Sequence, residues 1–206
     1  MFITVEGVDG AGKSTLVRGL GERLAAEGID VVLSREPGGT PLGQQVRQIL
    51  LDGEDMDAWT EVFLFCADRH HHVETLIRPA LNAGKWFISD RYVDSTLVYQ
   101  GYGQRLSLSR LRAVCELAID GLWPDLTLCI DLPAEQAISR QLERNRLGQL
   151  DLSFYERVRE GFHREAELTP QRFEMLKGDA PADEVLESAW QAVQDRRARL
   201  SALEHP

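Results

Sequence analysis

The chain has 206 residues and a formal net charge of −10. That length suits one α/β domain with a core large enough to stand without disulfides. The acidity argues against a nucleic-acid coat or an anionic membrane surface as partner, and no apolar run approaches membrane-spanning length.

The opening Met1-Phe2-Ile3-Thr4-Val5-Glu6 is too short and too soon acidic for a secretion signal, so a cytoplasmic protein is expected. Cys66, Cys115 and Cys129 sit in apolar runs with no paired spacing, as buried thiols in a reducing compartment do. Strand-like runs at 2–6, 30–34, 86–89, 126–131 and 173–177 alternate with helical patterns at 13–27, 41–51, 58–83, 107–121, 133–146, 152–168 and 182–199. That alternation predicts an α/β fold, a parallel five-stranded sheet covered by helices on both faces, in a single domain spanning 1–206.

Between the first strand and the first helix lies Gly7-Val8-Asp9-Gly10-Ala11-Gly12-Lys13-Ser14, followed by Thr15. It fits the pattern G-x-x-x-x-G-K-[ST] in the strand–loop–helix context that pattern requires. The glycines let backbone N–H groups curl around phosphate oxygens, and the helix N-terminus adds positive potential. Lys13 can reach the β- and γ-phosphates of ATP, and the Ser14 hydroxyl can ligate Mg²⁺.

The second strand runs into Arg35-Glu36-Pro37-Gly38-Gly39-Thr40. Ligands of open α/β sheets bind at the carboxyl ends of strands, so Arg35 is placed to meet a phosphate. Over 58–83 an apolar stripe contains Val62, Phe63, Cys66, Val73, Leu76, Ile77 and Ala80, with Arg69 inside it and Phe65 at its edge. Phe65 and Arg69 are four residues apart and point the same way. They suit stacking on a base and reading its edge, or equally a core ring and a salt bridge. His70-His71-His72 cannot converge on one ion from consecutive helical positions and reads as solvated surface.

The third strand ends in Asp90-Arg91-Tyr92. A strand-end carboxylate at Asp90 can hold Mg²⁺, and Arg91 can clamp a phosphate. The stretch from Asp94 to Gln104, with Ser95, Thr96, Tyr99 and Gln100, is a polar loop suited to base and sugar recognition. In the helix at 107–121, a second apolar edge at Val114 and Leu117 is core or a dimer face. Arg140, Arg144 and Arg146 precede Gly148, so residues 140–153 read as a short lid closing on phosphates, or as a solvated helix.

Together these motifs resemble the bacterial thymidylate kinases, over nearly the whole chain. The resemblance implies the three-layer P-loop NTPase fold, dTMP phosphorylation by ATP with Mg²⁺, and a homodimer. It implies that Asp9, Arg35, Phe65, Arg69, Arg91, Ser95, Thr96, Tyr99 and Gln100 face dTMP, and that Lys13, Asp9, Arg91 and a lid arginine serve the transfer. The sequence departs from the family at the lid. Asp151 leads at once into Leu152-Ser153-Phe154, so the lid is naturally short or a stretch is absent, and the choice among Arg140, Arg144 and Arg146 stays open. Gly10 stands where some relatives carry an arginine, which leaves the catalytic cation to the lid. Two other readings are a kinase for a different nucleotide or nucleoside, and a nucleotide-dependent switch. The guanine-reading Asn-Lys-x-Asp of such switches is lacking.

Overall fold

Alternation of apolar side chains along β1 (Phe2–Gly7) settles how this protein is layered. All six residues of β1 are buried, as expected of a central parallel strand. Ile3 and Val5 join one core cluster and Phe2 the other, because successive side chains point to opposite faces. The computed structural model describes residues 1–140 and 151–204.

The remaining strands are β2 (Val31–Arg35), β3 (Trp86–Asp90), β4 (Leu126–Asp131) and β5 (Phe173–Lys177), in the spatial order β2-β3-β1-β4-β5. Every pairing is parallel. The expected fold is therefore observed, with strand ends within a residue of the sequence pattern. One face packs α1 (Lys13–Ala26), α8 (Leu152–Leu168) and α9 (Ala182–Glu204) through Leu16, Leu20, Phe154, Phe162, Ala189 and Val193. The other packs α3 (Ala58–His72) and α6 (Leu108–Ile119) through Val62, Leu111 and Ala118. Local signals start the helices. Thr40 accepts from the Gly43 amide ahead of α2 (Pro41–Asp52), Asp57 from the Trp59 and Thr60 amides, and Asp151 from the Phe154 amide.

Four expectations need correction. The helix expected over 58–83 is broken by a π-helical turn at Val73–Ile77 before α4 (Arg78–Asn82). Within it Phe63 is 59% exposed, so it leaves the buried stripe. His72 is fully buried rather than solvated, because its ring nitrogens face Ser34 Oγ and Glu36 Oε1, both at 2.8 Å. The polar loop expected after Asp94 is helical, as α5 (Val93–Thr96) and a π-helical turn at Leu97–Gly103, packed on α8 and the sheet. The alternative left open on α6, core or dimer face, needs no correction: Leu117 is 79% exposed and no core residue, while Val114 is partly buried against the core. The short α7 (Ala134–Arg140) follows β4. Arg144, Arg146 and most of the expected lid lie outside the described residues.

Candidate active site

The site lies at the carboxyl ends of β1, β2 and β3, where parallel topology brings three loops together. Gly7 opens the first loop with φ 135°, and a Cβ there would stand 2.7 Å from the Ile130 carbonyl oxygen. Gly12 caps α1 in the left-handed region at φ 96°. Both positions demand glycine. The loop ends on Lys13, whose buried Nζ donates to the carbonyls of Gly7 (3.2 Å) and Val8 (2.9 Å). Burial, then the Arg91 charge, push the Lys13 pKa down to about 8. Ser14 Oγ donates to Asp90 Oδ2 at 2.6 Å, so the two residues expected to hold a metal are neighbours.

Arg35 ends β2, in register with Asp90 at the end of β3. One cleft is lined by Asp9, Gly10, Lys13, Ser14, Arg35, Arg47, Asp90 and Arg91. Arg47 was not signalled in the sequence: it sits on α2, a helix whose pattern carries no motif. Its Nη1 donates to the Pro37 carbonyl at 3.1 Å, and burial, then Arg35, lower its pKa. Three guanidiniums thus gather at one end of an acidic protein, a local electropositive trap for phosphate.

A second cavity adjoins the first and shares Asp9, Glu36, Arg47 and Arg91 with it. Its walls include Phe65 and Arg69 from α3, Ser95 and Thr96 from α5, and Tyr99 and Gln100 from the π-helical turn. Arg91 stands between the two cavities. Its guanidinium is paired with Asp9 and donates to Ser95 Oγ (2.9 Å), the Gly7 carbonyl (3.2 Å) and Tyr99 OH (3.2 Å). Tyr99 OH donates in turn to Asp9 Oδ2 at 3.2 Å. Burial works against ionisation of Asp9, but Arg91 and then Lys13 outweigh it and hold the carboxyl below its ordinary range.

Arg69 is almost wholly buried. Its Nε donates to Glu36 Oε2 at 2.8 Å and its Nη2 to the Tyr92 carbonyl at 3.1 Å, while Nη1 has no partner among the described residues. Of the two alternatives left open by the sequence, the structure shows the salt bridge, and it leaves one further Arg69 donor unspent among the described residues. Gln100 Nε2 points to Glu61 Oε2 at 3.4 Å, beside Gln104 Nε2 at 2.8 Å. Asp94, grouped by the sequence with the ligand-facing polar residues, instead makes a buried two-point pair with Arg172 at 2.7 Å for each bond. Arg140 stands at the end of α7 against the P-loop, its Cβ 3.3 Å from where a Cβ on Gly10 would lie. Its guanidinium reaches toward the Gly178 carbonyl at 3.4 Å. Glu6, given no site role by the sequence, is buried beneath this machinery. The signal that could have found it is an acidic residue inside an otherwise apolar central strand.

A glycine loop between strand and helix, with a lysine, a hydroxyl and a strand-end carboxylate gathered at it, defines a P-loop nucleotide-binding protein. The second cavity beside it has the arrangement of a nucleotide phosphotransferase. A family model, thymidylate kinase, matches residues 5–189. A thymidylate kinase of Nitratidesulfovibrio vulgaris (strain Miyazaki F) is 45% identical over the full length of both chains. One from Halothermothrix orenii is 43% identical, with 90% of this chain and 92% of that one covered. The crystal structure of a thymidylate kinase from Ehrlichia chaffeensis superposes with a TM-score of 0.79 at 35% identity, over 94% of this chain and 98% of that one. The chain belongs to the thymidylate kinase family.

Proposed function

We propose that this chain transfers the γ-phosphoryl group of ATP to the 5′-phosphate of dTMP, giving dTDP and ADP, as one P-loop kinase domain. Family membership makes it an ATP-dependent nucleoside monophosphate kinase. The single observation that carries the acceptor assignment is the second cavity: Phe65 and Arg69 share its wall, and Arg69 Nη1 is a buried donor without a partner among the described residues. A buried donor is costly unless a ligand acceptor meets it. The 4-carbonyl of thymine is such an acceptor, whereas cytosine offers an amino group there. Phe65 would stack on the ring, and Thr96 and Gln100 would line its edge.

The acceptor's phosphate would lie where the cavities meet, against Arg35, Arg47 and Arg91. The nucleophile is a phosphate oxygen and needs no general base, so catalysis is positioning and charge neutralisation. The P-loop amides from Val8 to Thr15 and Lys13 would hold the donor's phosphates. Asp9, fixed between Arg91 and Tyr99, would keep Arg91 oriented toward the acceptor. Arg140 would serve the donor side, where Thr15, Arg18 and Asp183 line a further cleft. Ser14 and Asp90 are hard oxygen donors of the kind Mg²⁺ prefers, and the ion binds with few protein ligands, so the pair fits it. Bound there, Mg²⁺ would offset the charge of the donor phosphates.

Among the described residues no helix is long and apolar enough to cross a membrane, which accords with action in the cytoplasm. We further infer a homodimer; the exposed Leu42, Ile49, Phe63 and Leu117 on adjoining helices support it. Sedimentation velocity giving a monomer at micromolar concentration would remove that part. A coupled ADP-release assay with dTMP, dUMP, dCMP, dGMP and dAMP tests the reaction, with dTMP expected to be turned over fastest.

A further inference from the structure

The carboxylate buried under the site has no part in the chemistry above, yet it is tied to Arg91 by two routes. Arg91 is a non-glycine residue in the left-handed region, at φ 72°, a conformation that persists only where neighbours enforce it. Its own N–H donates to the Val5 carbonyl at 3.0 Å, and its carbonyl accepts from Ser89 Oγ at 2.7 Å. The next amide, Tyr92 N–H, donates to Glu6 Oε1 at 2.7 Å. The second carboxylate oxygen, Glu6 Oε2, accepts from Ser95 Oγ at 2.5 Å. That same Ser95 oxygen accepts from Arg91 Nη1 at 2.9 Å.

A hydroxyl has one proton to give. Because Glu6 takes the proton of Ser95, the Ser95 lone pairs are left to receive the guanidinium. Remove the carboxylate, and the Tyr92 amide is orphaned while the Ser95 proton is free to turn against Arg91. Period-2 alternation supplies the placement, since Glu6 lies on the same face of β1 as Phe2 and Thr4, beneath the turn that carries Arg91.

We propose that Glu6 is a positioning residue for phosphoryl transfer. It fixes the backbone of Arg91 through the Tyr92 amide and the guanidinium through Ser95, so that Arg91 is held ready for the phosphates. Ser95, expected from the sequence to face the nucleotide, acts here as the relay. This rests on the proposed phosphoryl transfer, so wild-type turnover with dTMP is measured first, and its failure would overturn that reading separately.

The test is a double-mutant cycle between position 6 and Arg91. Misplacing a charged group by about 1 Å costs roughly 100-fold in rate, so Glu6→Ala is expected to lower kcat/KM for the acceptor by about that factor. ATP affinity, read by displacement of a fluorescent nucleotide, should stay within about twofold, because Glu6 touches no P-loop amide. Glu6→Gln, which keeps one acceptor oxygen but not both, should lose only about 10-fold. Combining either change with Arg91→Ala should add nothing beyond Arg91→Ala alone, as non-additivity between groups acting as a unit requires. Full additivity in the cycle, or Glu6→Ala turning over within about threefold of wild type, overturns the proposal. Should Glu6→Ala fail to fold, the Glu6→Gln cycle decides alone by the same criterion.

Discussion

Replacing Arg69 by Met perturbs the fold and the specificity by separable amounts. The side chain is 2% exposed, and its partner Glu36 is 3% exposed. Removing the guanidinium leaves a buried carboxylate with His72 Nδ1, at 2.8 Å, as its side-chain partner among the described residues, and it also takes one donor from the Tyr92 carbonyl. Breaking a buried pair from one side costs about 3–5 kcal/mol. At about 2–4 °C per kcal/mol for a chain of this size, the melting temperature should fall by about 6–20 °C. The catalytic consequence is independent of that loss. A charge-assisted hydrogen bond to the base edge is worth about 1.5–3 kcal/mol, or roughly 10- to 150-fold in kcat/KM for dTMP. Phosphorylation of dCMP, which offers no acceptor at that position, should change little, so the dTMP-to-dCMP ratio collapses toward unity. Scanning calorimetry and the coupled ADP-release assay, run below the variant's melting temperature, read the two effects. A melting point within about 2 °C of wild type together with an unchanged ratio would refute the role assigned to Arg69.

Further outcomes follow from neighbouring contacts. Arg91→Ala should lower turnover by about 1,000-fold, to a rate still measurable, while ATP still binds, because the P-loop contacts of the donor do not pass through Arg91; near-normal turnover would remove its role. Asp68 is buried, neither carboxyl oxygen has a hydrogen-bond partner among the described residues, and the nearby Gly38 amide stops short of bonding geometry. Burial, then the Glu36 charge, push the Asp68 pKa up to about 6. A carboxyl raised on folding loses stability as pH climbs from its unfolded pKa to its folded one, and the loss stays constant above. Asp68→Asn should therefore gain on wild type by about 3 kcal/mol at about pH 7.5, a gain that shrinks to about 0.5 kcal/mol near pH 4. Urea denaturation at both pH values checks it, and an equal difference at both would contradict it. Gly43→Ala should destabilise by about 1–3 kcal/mol despite its better helix propensity, since the new Cβ would lie 2.1 Å from Asp68 Oδ1. Shortening Asp68 to Ala in the same chain should relieve most of that loss.

The strands were legible because parallel strands buried on both faces leave uninterrupted apolar runs between turn residues, and β4 and β5 were bounded to the residue. The P-loop was legible because its chemistry is contiguous in the chain. What escaped was long-range. His72 is buried through partners 36 and 38 residues away, and Asp94 is claimed by Arg172, 78 residues on. No local pattern announces such pairs. The segment after Asp94 looked like a loop because glycines and hydroxyls disfavour helix, and packing against α8 overrode that propensity. Arg47 was passed over because a lone arginine on a helix resembles solvated surface until the chain folds it beside Arg35.

The proposed reaction passes ATP's γ-phosphoryl from the P-loop to a dTMP-shaped acceptor site that adjoins it. Its most direct measurement is ADP release by the purified protein with ATP and each of dTMP, dUMP, dCMP, dGMP and dAMP, alongside a reaction with no acceptor. Turnover is expected to be fastest with dTMP, with dTDP formed one for one with ADP and negligible ADP release without acceptor. Preference for a purine monophosphate, or ATP hydrolysis indifferent to any acceptor, would contradict it.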